Sequence, residues 1–155
     1  RPPRSTLFPY TTLFRSDKKE GIEKAYCCFN SNARDFARFG QLILNNGYWN
    51  GKQLISESYL KEATTPDTTL LFTEYNETNH CYGFQFWHLN YKGMDIPYMR
   101  GILGQYVFII PDKNAVVVRL GHKRSKTRTS QHYPDDIDTW LAAALDIMEQ
   151  SKQHN

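Results

Sequence analysis

The sequence contains no long apolar run and little cysteine. Its purely apolar stretches are only a few residues long, whereas a membrane-spanning helix needs about 20, so this chain has no candidate transmembrane helix. Its three cysteines, Cys27, Cys28 and Cys81, show neither a disulfide framework nor Cys-x-x-Cys spacing. We interpret them as small buried hydrophobic residues and expect no metal or other cofactor. The basic start, apolar stretch and cleavage site of a secretory signal are also missing from the N-terminus.

The first sixteen residues lack the periodicity of a folded protein. They contain Thr-Leu-Phe twice, at 6–8 and 12–14. The segment resembles, residue for residue, the translation of a flow-cell adapter used in short-read DNA sequencing, and an ordinary Pro-rich tail is the alternative. On the first interpretation, residues 1–16 are an artefactual, non-native tail that should be left out of fold reasoning. We then expect the coding sequence that preceded Asp17 to be missing.

An excess of charge of either sign is absent once this tail is set aside. The chain has 19 basic and 16 acidic residues, and the tail contributes three arginines and no acid. The remaining 16 basic and 16 acidic residues balance, which predicts no binding to nucleic acid or to an anionic membrane. One short basic cluster at 122–128 is expected to be a solvated loop, with phosphate binding as the less favoured alternative.

Three segments have the apolar spacing of amphipathic helices. The first follows the capping residues at 31–32 and ends at the Asn-Asn-Gly turn at 45–47. A shorter helix is predicted to begin at Ser56 or Ser58 and to run to about Ala63, before Pro66. The last helix carries one continuous apolar stripe, formed by Ile137, Trp140, Leu141, Ala144, Leu145 and Met148.

Strands are predicted between the second and third helices, after an irregular polar loop at 67–80. Residues 82–91 alternate with period two before a Lys-Gly turn. The clearest hairpin joins 106–110 to 115–118 through a turn that starts at Pro111. Both strands of this hairpin are apolar on both faces, so helices must cover the sheet on two sides. The order predicts an α+β fold, with an antiparallel sheet flanked by helices and the C-terminal helix packed on the sheet.

Several segments match, in order, motifs of one enzyme family. Residues 31–47 are similar to the pattern S-x-x-D-L-A-R-F-G-x-L-L-L-N-G-G, and 49–56 are similar to the loop that follows it. Residues 82–87 resemble Y-G-x-G-W-W, and 100–111 resemble G-H-x-G-Q-x-x-x-x-x-P. These are motifs of the C-terminal half of class C-type β-lactamases and related penicillin-binding-protein-like serine hydrolases.

The resemblance covers nearly all of 29–150 and implies that residues 17–155 are the C-terminal part of a β-lactamase-related domain. It implies acyl transfer through a serine ester, on a small-molecule or peptide substrate such as a β-lactam, a D-amino-acid peptide or an ester. The family's Ser-x-x-Lys and Tyr-x-Asn motifs would lie upstream of Asp17, so we expect the chain itself to be inactive. A periplasmic or extracellular location is expected because the family's substrates lie there.

The family's third motif, Lys/His-x-Gly, maps onto Ile102-Leu103-Gly104. Gly104 would permit the close approach of a substrate, and the backbone N–H of Gln105 would donate to the oxyanion. The first position departs from the family pattern, because the aliphatic side chain of Ile102 neither pairs with a carboxylate nor relays a proton. A non-catalytic β-lactamase-like binding protein is therefore the alternative function.

Two neighbours complete the candidate substrate-binding residues. Arg100 is a candidate for the missing cation, although a surface or interstrand charge is its commoner role. Tyr106 is a candidate for the border of the cleft, but tyrosines that are half-buried in a sheet are common.

Short matches to the other two motifs are expected by chance. Ser58 and Lys61 fit Ser-x-x-Lys, and Tyr48 and Asn50 fit Tyr-x-Asn. Ser58 is predicted to lie in a short polar helix, whereas a catalytic serine of this type opens a buried helix. Ser16 also fits, but it belongs to the predicted tail. We therefore expect none of these serines to be a nucleophile.

Overall fold

The structure is a computed structural model that describes residues 13–14, 29–74 and 76–153. Its elements in chain order are β1 (Leu13–Phe14), β2 (Phe29–Asn30), α1 (Ala33–Leu44), β3 (Tyr48–Trp49), β4 (Lys52–Gln53), α2 (Glu57–Thr64), β5 (Leu71–Phe72), β6 (Glu77–Thr78), β7 (Trp87–Tyr91), β8 (Met94–Arg100), β9 (Tyr106–Ile110), β10 (Ala115–Arg119) and α3 (Asp136–Gln153). A single turn of 3₁₀ helix, Pro111–Lys113, joins β9 to β10.

A four-stranded antiparallel sheet with the order β10-β9-β8-β7 forms the centre of the fold. Each strand pairs with its neighbour in the sequence, so short hairpins connect the whole sheet. The register places Arg100 opposite Tyr106 and Ile110 opposite Ala115. All five residues of β9 are buried. This strand is therefore covered on both faces, as the sequence of its hairpin predicts.

Helices cover the two faces of the sheet. Side chains of α3 and of β7, β8 and β9 share one buried cluster: Leu89, Ile96, Tyr98, Tyr106, Phe108, Ile110, Tyr133, Ile137 and Leu141. Side chains of α1, α2 and β9 share a second cluster: Ile43, Leu60, Ala63, Phe86 and Ile109. Because neighbouring residues of a strand point to opposite faces, β9 contributes Phe108 to the first cluster and Ile109 to the second. The predicted α+β architecture, with the C-terminal helix packed on the sheet, is confirmed.

The first helix begins and packs as its sequence predicts. The Asn32 side chain accepts a hydrogen bond from the backbone N–H of Asp35 at 3.1 Å, which caps the helix. The buried carboxylate of Asp35 accepts a hydrogen bond from Arg38 at 2.6 Å. Farther along, Gly40 brings the helix close to the sheet, because a Cβ there would lie 2.5 Å from Cγ1 of Val116.

Three expectations from the sequence are wrong in detail. The predicted strand at 82–91 begins only at Trp87, because Gln85 has a φ of 65°, outside the extended region. The predicted irregular loop at 67–80 contains the short hairpin of β5 and β6. Trp140, predicted to be a core residue, is 39% exposed. The Cζ atom of Arg119 lies over its ring, 4.6 Å from the ring centre.

Part of the N-terminal prediction lies outside the described residues. Of the predicted tail, only Leu13–Phe14 is described, and it pairs with Phe29–Asn30. Cys27 and Cys28 also lie outside the described part. Cys81 is buried, and this burial raises the pKa of its thiol. In the described part of the chain, no helix is both long and apolar enough to span a bilayer.

Candidate functional site

The predicted substrate-binding motif lies in the turn between β8 and β9. We call residues 101–105 the hairpin tip. The Gly101 N–H donates to the Gln105 carbonyl at 2.8 Å, and the Gly104 N–H donates to the Gly101 carbonyl at 3.2 Å. Gly104 has a φ of 83°. A three-residue loop that ends in a left-handed residue is a common hairpin connection, so local geometry alone favours glycine at position 104.

Close packing also favours glycine at position 104. A Cβ there would lie 2.6 Å from the carbonyl oxygen of Lys123, and it would be nearer still to the guanidinium of Arg119. The sequence predicts the close approach of a substrate at Gly104. On the side where a Cβ would project, the structure places the loop that follows β10 instead.

Side chains from the end of β10 and from the loop after it bind the backbone of the hairpin tip. Arg119 donates to the Gly104 carbonyl, and Arg124 Nε donates to the Ile102 carbonyl at 3.0 Å. From the tip itself, Gln105 Nε2 donates to the Gly121 carbonyl at 2.6 Å. Hydrogen bonds from charged donors are the stronger kind. The tip is therefore fixed by contacts outside its own turn.

The Gln105 side chain also organises the tip from within. Its Oε1 accepts a hydrogen bond from the Leu103 N–H at 3.2 Å. The amide group thus bridges the tip and the neighbouring loop, and it holds the backbone on either side of Gly104. The oxyanion role of the Gln105 backbone N–H stays a prediction.

Two aliphatic side chains point outward from this fixed backbone. Ile102 is 81% exposed and Leu103 is 48% exposed. Ile102 is the most exposed of the large hydrophobic residues in the described part of the chain. The Ile102 side chain is therefore at the surface of the described part of the chain.

Arg100 lies at the end of β8, directly before the tip. Its guanidinium stacks over the Trp87 ring at 3.3 Å and donates to the His132 carbonyl at 3.5 Å. Burial lowers the pKa of Arg100, and the neighbouring positive charges of Arg128 and Arg124 lower it further. Arg100 is thus a half-buried cation beside other cations. Its role in substrate binding stays a prediction.

Tyr106 lies behind the tip. Its side chain is fully buried, and its hydroxyl donates to Asp136 Oδ1 at 3.3 Å. Burial, together with the Asp136 carboxylate, raises the pKa of Tyr106 to about 12. A side chain in this position supports the tip from the core of the sheet. Its place at the border of a cleft stays a prediction.

The chance matches to the nucleophile motifs lie on other elements. Ser58 and Lys61 are both exposed residues of α2. Tyr48 is 52% exposed and belongs to the separate β3–β4 hairpin, and Asn50 lies in the turn of that hairpin. The structure therefore places neither pair on the four-stranded sheet.

Two surface cavities lie away from the hairpin tip. One has a volume of about 240 Å³ and is lined by Gln41, Asn45, Tyr48, Trp49 and Asn50. The other has a volume of about 540 Å³ and is lined by Asn32, Ala33, Arg34 and Arg38. Neither of these cavities is lined by a residue of the hairpin tip. Within the described ranges, no group of His, Cys, Asp or Glu side chains could hold a metal ion.

Sequence reasoning missed two residues at the tip, Arg119 and Arg124. The available signal was the basic cluster at 122–128, which we expected to be a solvated loop. The structure places this cluster against the hairpin tip, because Arg124 bonds the Ile102 carbonyl and Arg119 also donates to the Lys123 carbonyl at 3.0 Å. A contact between segments 22 residues apart has no periodicity that a sequence pattern could show.

Several solved structures are similar to this chain. One of them is a Bacillus anthracis protein that is provisionally named a 6-aminohexanoate-dimer hydrolase. The two share 28% sequence identity with a TM-score of 0.59, over 85% of this chain and 32% of that chain. No protein-family model matches the sequence, and no curated protein matches it.

The chain thus spans about a third of the length of the hydrolase that it resembles. The similarity supports the expected fold, because the two proteins share the α+β arrangement of β-lactamase-like serine hydrolases over most of this chain. The described residues thus form part of a β-lactamase-like serine hydrolase fold.

Proposed function

We propose that residues 17–155 are the C-terminal part of a serine hydrolase that cleaves an amide or ester bond through an acyl-enzyme. The parent's nucleophile would lie upstream of Asp17. The observation that carries the proposal is the 28% identity to a hydrolase over 85% of this chain. Residues 1–16 have no role in this proposal.

In this proposal, the hairpin tip forms one wall of the reaction cleft. The N–H of Gln105 would donate to the oxyanion, and a preorganised donor of this kind gives large transition-state stabilisation. The contacts of Arg119, Arg124 and Gln105 support such a role, because they hold the tip backbone in one position. The buried Tyr106 would act only by supporting the tip.

The substrate is an amide or an ester. The similar Bacillus anthracis protein is named for a 6-aminohexanoate dimer, which contains an amide bond. Ile102 disfavours β-lactam recognition, because it replaces the family's cationic or proton-relaying side chain with an exposed aliphatic one. By resemblance to the family, the parent would act in the periplasm or outside the cell.

Ile102 also supports a second candidate function. A β-lactamase-like protein without catalytic activity would bind a ligand in the same cleft, and Ile102 at the Lys or His position favours it. The two candidates differ in the parent's upstream sequence. The hydrolase requires intact Ser-x-x-Lys and Tyr-x-Asn motifs, whereas the binding protein does not.

Recovery of the full-length coding sequence from overlapping reads tests the proposal first. We expect a Ser-x-x-Lys motif, followed by a Tyr-x-Asn motif, ahead of the segment that starts at Asp17. A parent that begins near Asp17, with no domain ahead of it, would rule out both candidate functions.

A hydrolysis assay on the 155-residue chain tests the position of the nucleophile. We expect no turnover of a chromogenic ester such as p-nitrophenyl acetate above the buffer rate. The Ser58→Ala variant serves as the control. Hydrolysis by the chain that disappears in this variant would place the nucleophile in α2 and refute the proposal.

A further inference from the structure

The surface around the hairpin tip combines two chemical properties that rarely occur together on a protein without a partner. The aliphatic side chains of Ile102 and Leu103 are 81% and 48% exposed. Exposed apolar residues that cluster in this way, unlike scattered ones, mark a binding surface.

Cationic side chains surround this apolar tip. Arg124 contacts it directly through the Ile102 carbonyl, and Arg119 contacts it through the Gly104 carbonyl. Lys123 lies beside Gly104 and is exposed. Arg100 precedes the tip and lies close enough to Arg124 and Arg128 for their charges to lower its pKa.

The segment that carries these cations contains few acidic residues, although Asp135 and Asp136 follow it directly and Glu77 pairs with His132 beside Arg100. From Arg100 to Pro134 the sequence contains one acid, Asp112, which lies in the turn at the other end of β9. Asp136 already accepts hydrogen bonds from the Tyr106 hydroxyl and the Ser125 N–H.

In the part of the chain that the structure describes, none of Arg100, Arg119 and Arg124 forms an ion pair with a carboxylate. No salt bridge within the described residues occupies these three guanidinium groups, so they are available to an anionic ligand.

We propose that the hairpin tip binds an amphiphilic anion. The aliphatic chain of this anion would lie on Ile102 and Leu103, and its carboxylate or phosphate would lie beside Arg124, which bonds the Ile102 carbonyl. The inference rests on the proposed function and deepens it, because it names the substrate class of the same cleft. It also gives a reason for Ile102, since an aliphatic residue at the Lys or His position supplies the apolar half of the recognition.

Binding to the full 155-residue chain tests the inference without any need for catalysis. Isothermal titration calorimetry would compare decanoate and decyl phosphate, both below their micellar concentrations, with two partial ligands. Inorganic phosphate carries the anion alone, and a neutral decyl glycoside carries the chain alone. We expect each partial ligand to bind at least tenfold more weakly than the two amphiphiles. Equal affinity for the neutral glycoside would overturn the proposal.

Two variants with matched controls locate the ligand. We expect Ile102→Ser and Arg124→Gln each to weaken decanoate binding at least tenfold. Ile147→Ser removes another exposed aliphatic residue, on α3, and Lys113→Gln removes a cation at the opposite end of β9. Both controls should bind decanoate as the unmodified chain does. Circular dichroism verifies the fold of each variant, and equal affinity of all four variants would overturn the assignment.

Vesicle sedimentation distinguishes a dissolved substrate from a lipid surface. We expect little sedimentation with either phosphatidylglycerol or phosphatidylcholine vesicles. Sedimentation with phosphatidylglycerol vesicles, without binding of dissolved decanoate, would overturn the proposal, because the patch would then recognise a membrane. A failure of these binding experiments leaves the hydrolase proposal standing, since none of them measures hydrolysis.

Discussion

The two ends of the central strand β9 differ in chemistry and in what holds them. At one end, residues 111–114 form an exposed polar turn whose Asn114 has a φ of 47°. At the other end, the hairpin tip presents Ile102 and Leu103 and is bonded by Arg119, Arg124 and the Gln105 side chain.

A turn as simple as the polar one at residues 111–114 is enough to connect two antiparallel strands. The polar turn closes its hairpin with a single turn of 3₁₀ helix and a left-handed residue. Reversal of the chain therefore does not account for the additional hydrogen bonds at the tip or for its exposed aliphatic side chains. This difference is the main structural reason for placing the functional surface at the tip, and the following changes test it.

The largest expected effect is that of Gly104→Ala. The left-handed φ of 83° and the overlap with the Lys123 carbonyl both oppose a Cβ. We expect a loss of about 3 kcal/mol in the free energy of unfolding, at the upper end of the range for strained backbone. Urea titration measures it. The control at the polar turn, Asn114→Gly, should leave stability unchanged or raise it slightly.

A second change tests how firmly the tip is tied to α3. Tyr106 has a pKa raised from 10.0 to about 12, so the folded state favours the neutral phenol. This contribution is complete below pH 10 and is lost as the pH rises through about 12. At 1.36 kcal/mol per pKa unit it amounts to roughly 2–3 kcal/mol. The free energy of unfolding, measured from pH 9 to 12, should fall less steeply with pH in the Tyr106→Phe variant than in the unmodified chain. Equal slopes would contradict this expectation.

The removal of Arg119 should have a smaller effect. Arg119→Gln deletes hydrogen bonds to the Gly104 and Lys123 carbonyls and the contact with Trp140. We expect a loss of about 1–2 kcal/mol, typical of hydrogen bonds from a charged donor. The same change at the polar turn, Lys113→Gln, should stay within about 0.5 kcal/mol. Equal losses at the two ends would remove the distinction between them.

The smallest stability effect is expected at Ile102. Its side chain is 81% exposed, so Ile102→Ser should change the free energy of unfolding by less than about 0.5 kcal/mol. Chemical denaturation measures this value. A residue whose loss leaves stability intact but weakens ligand binding serves recognition. A clear loss of stability would instead make Ile102 a structural residue.

The fold was largely predictable from the sequence. The helices and the β9–β10 hairpin have strong periodicity, and their apolar faces require the layers that the structure shows. The strand predicted from Tyr82 was placed too early, since the left-handed Gln85 breaks the extended backbone without a glycine to mark it. Trp140 was placed in the core by its position in an apolar stripe, although its ring lies at the surface beneath Arg119.

The candidate site was less predictable. Motif resemblance pointed to the tip, but periodicity gives no information about the exposure of Ile102 or the burial of Tyr106. The bonds from Arg119 and Arg124 depend on how the loop after β10 folds back. That path is set by tertiary contacts between distant segments, such as Gln105 with Gly121, and no local pattern encodes it.

Labelling of the full-length parent with a fluorophosphonate, which modifies activated serines, tests the central claim most directly. Mass spectrometry would then locate the modified residue. The account predicts one modified serine, in a Ser-x-x-Lys motif ahead of the segment that begins at Asp17, and no modification of the 155-residue chain alone. A modified serine within residues 17–155, or a parent that carries the motif and remains unmodified, would contradict it.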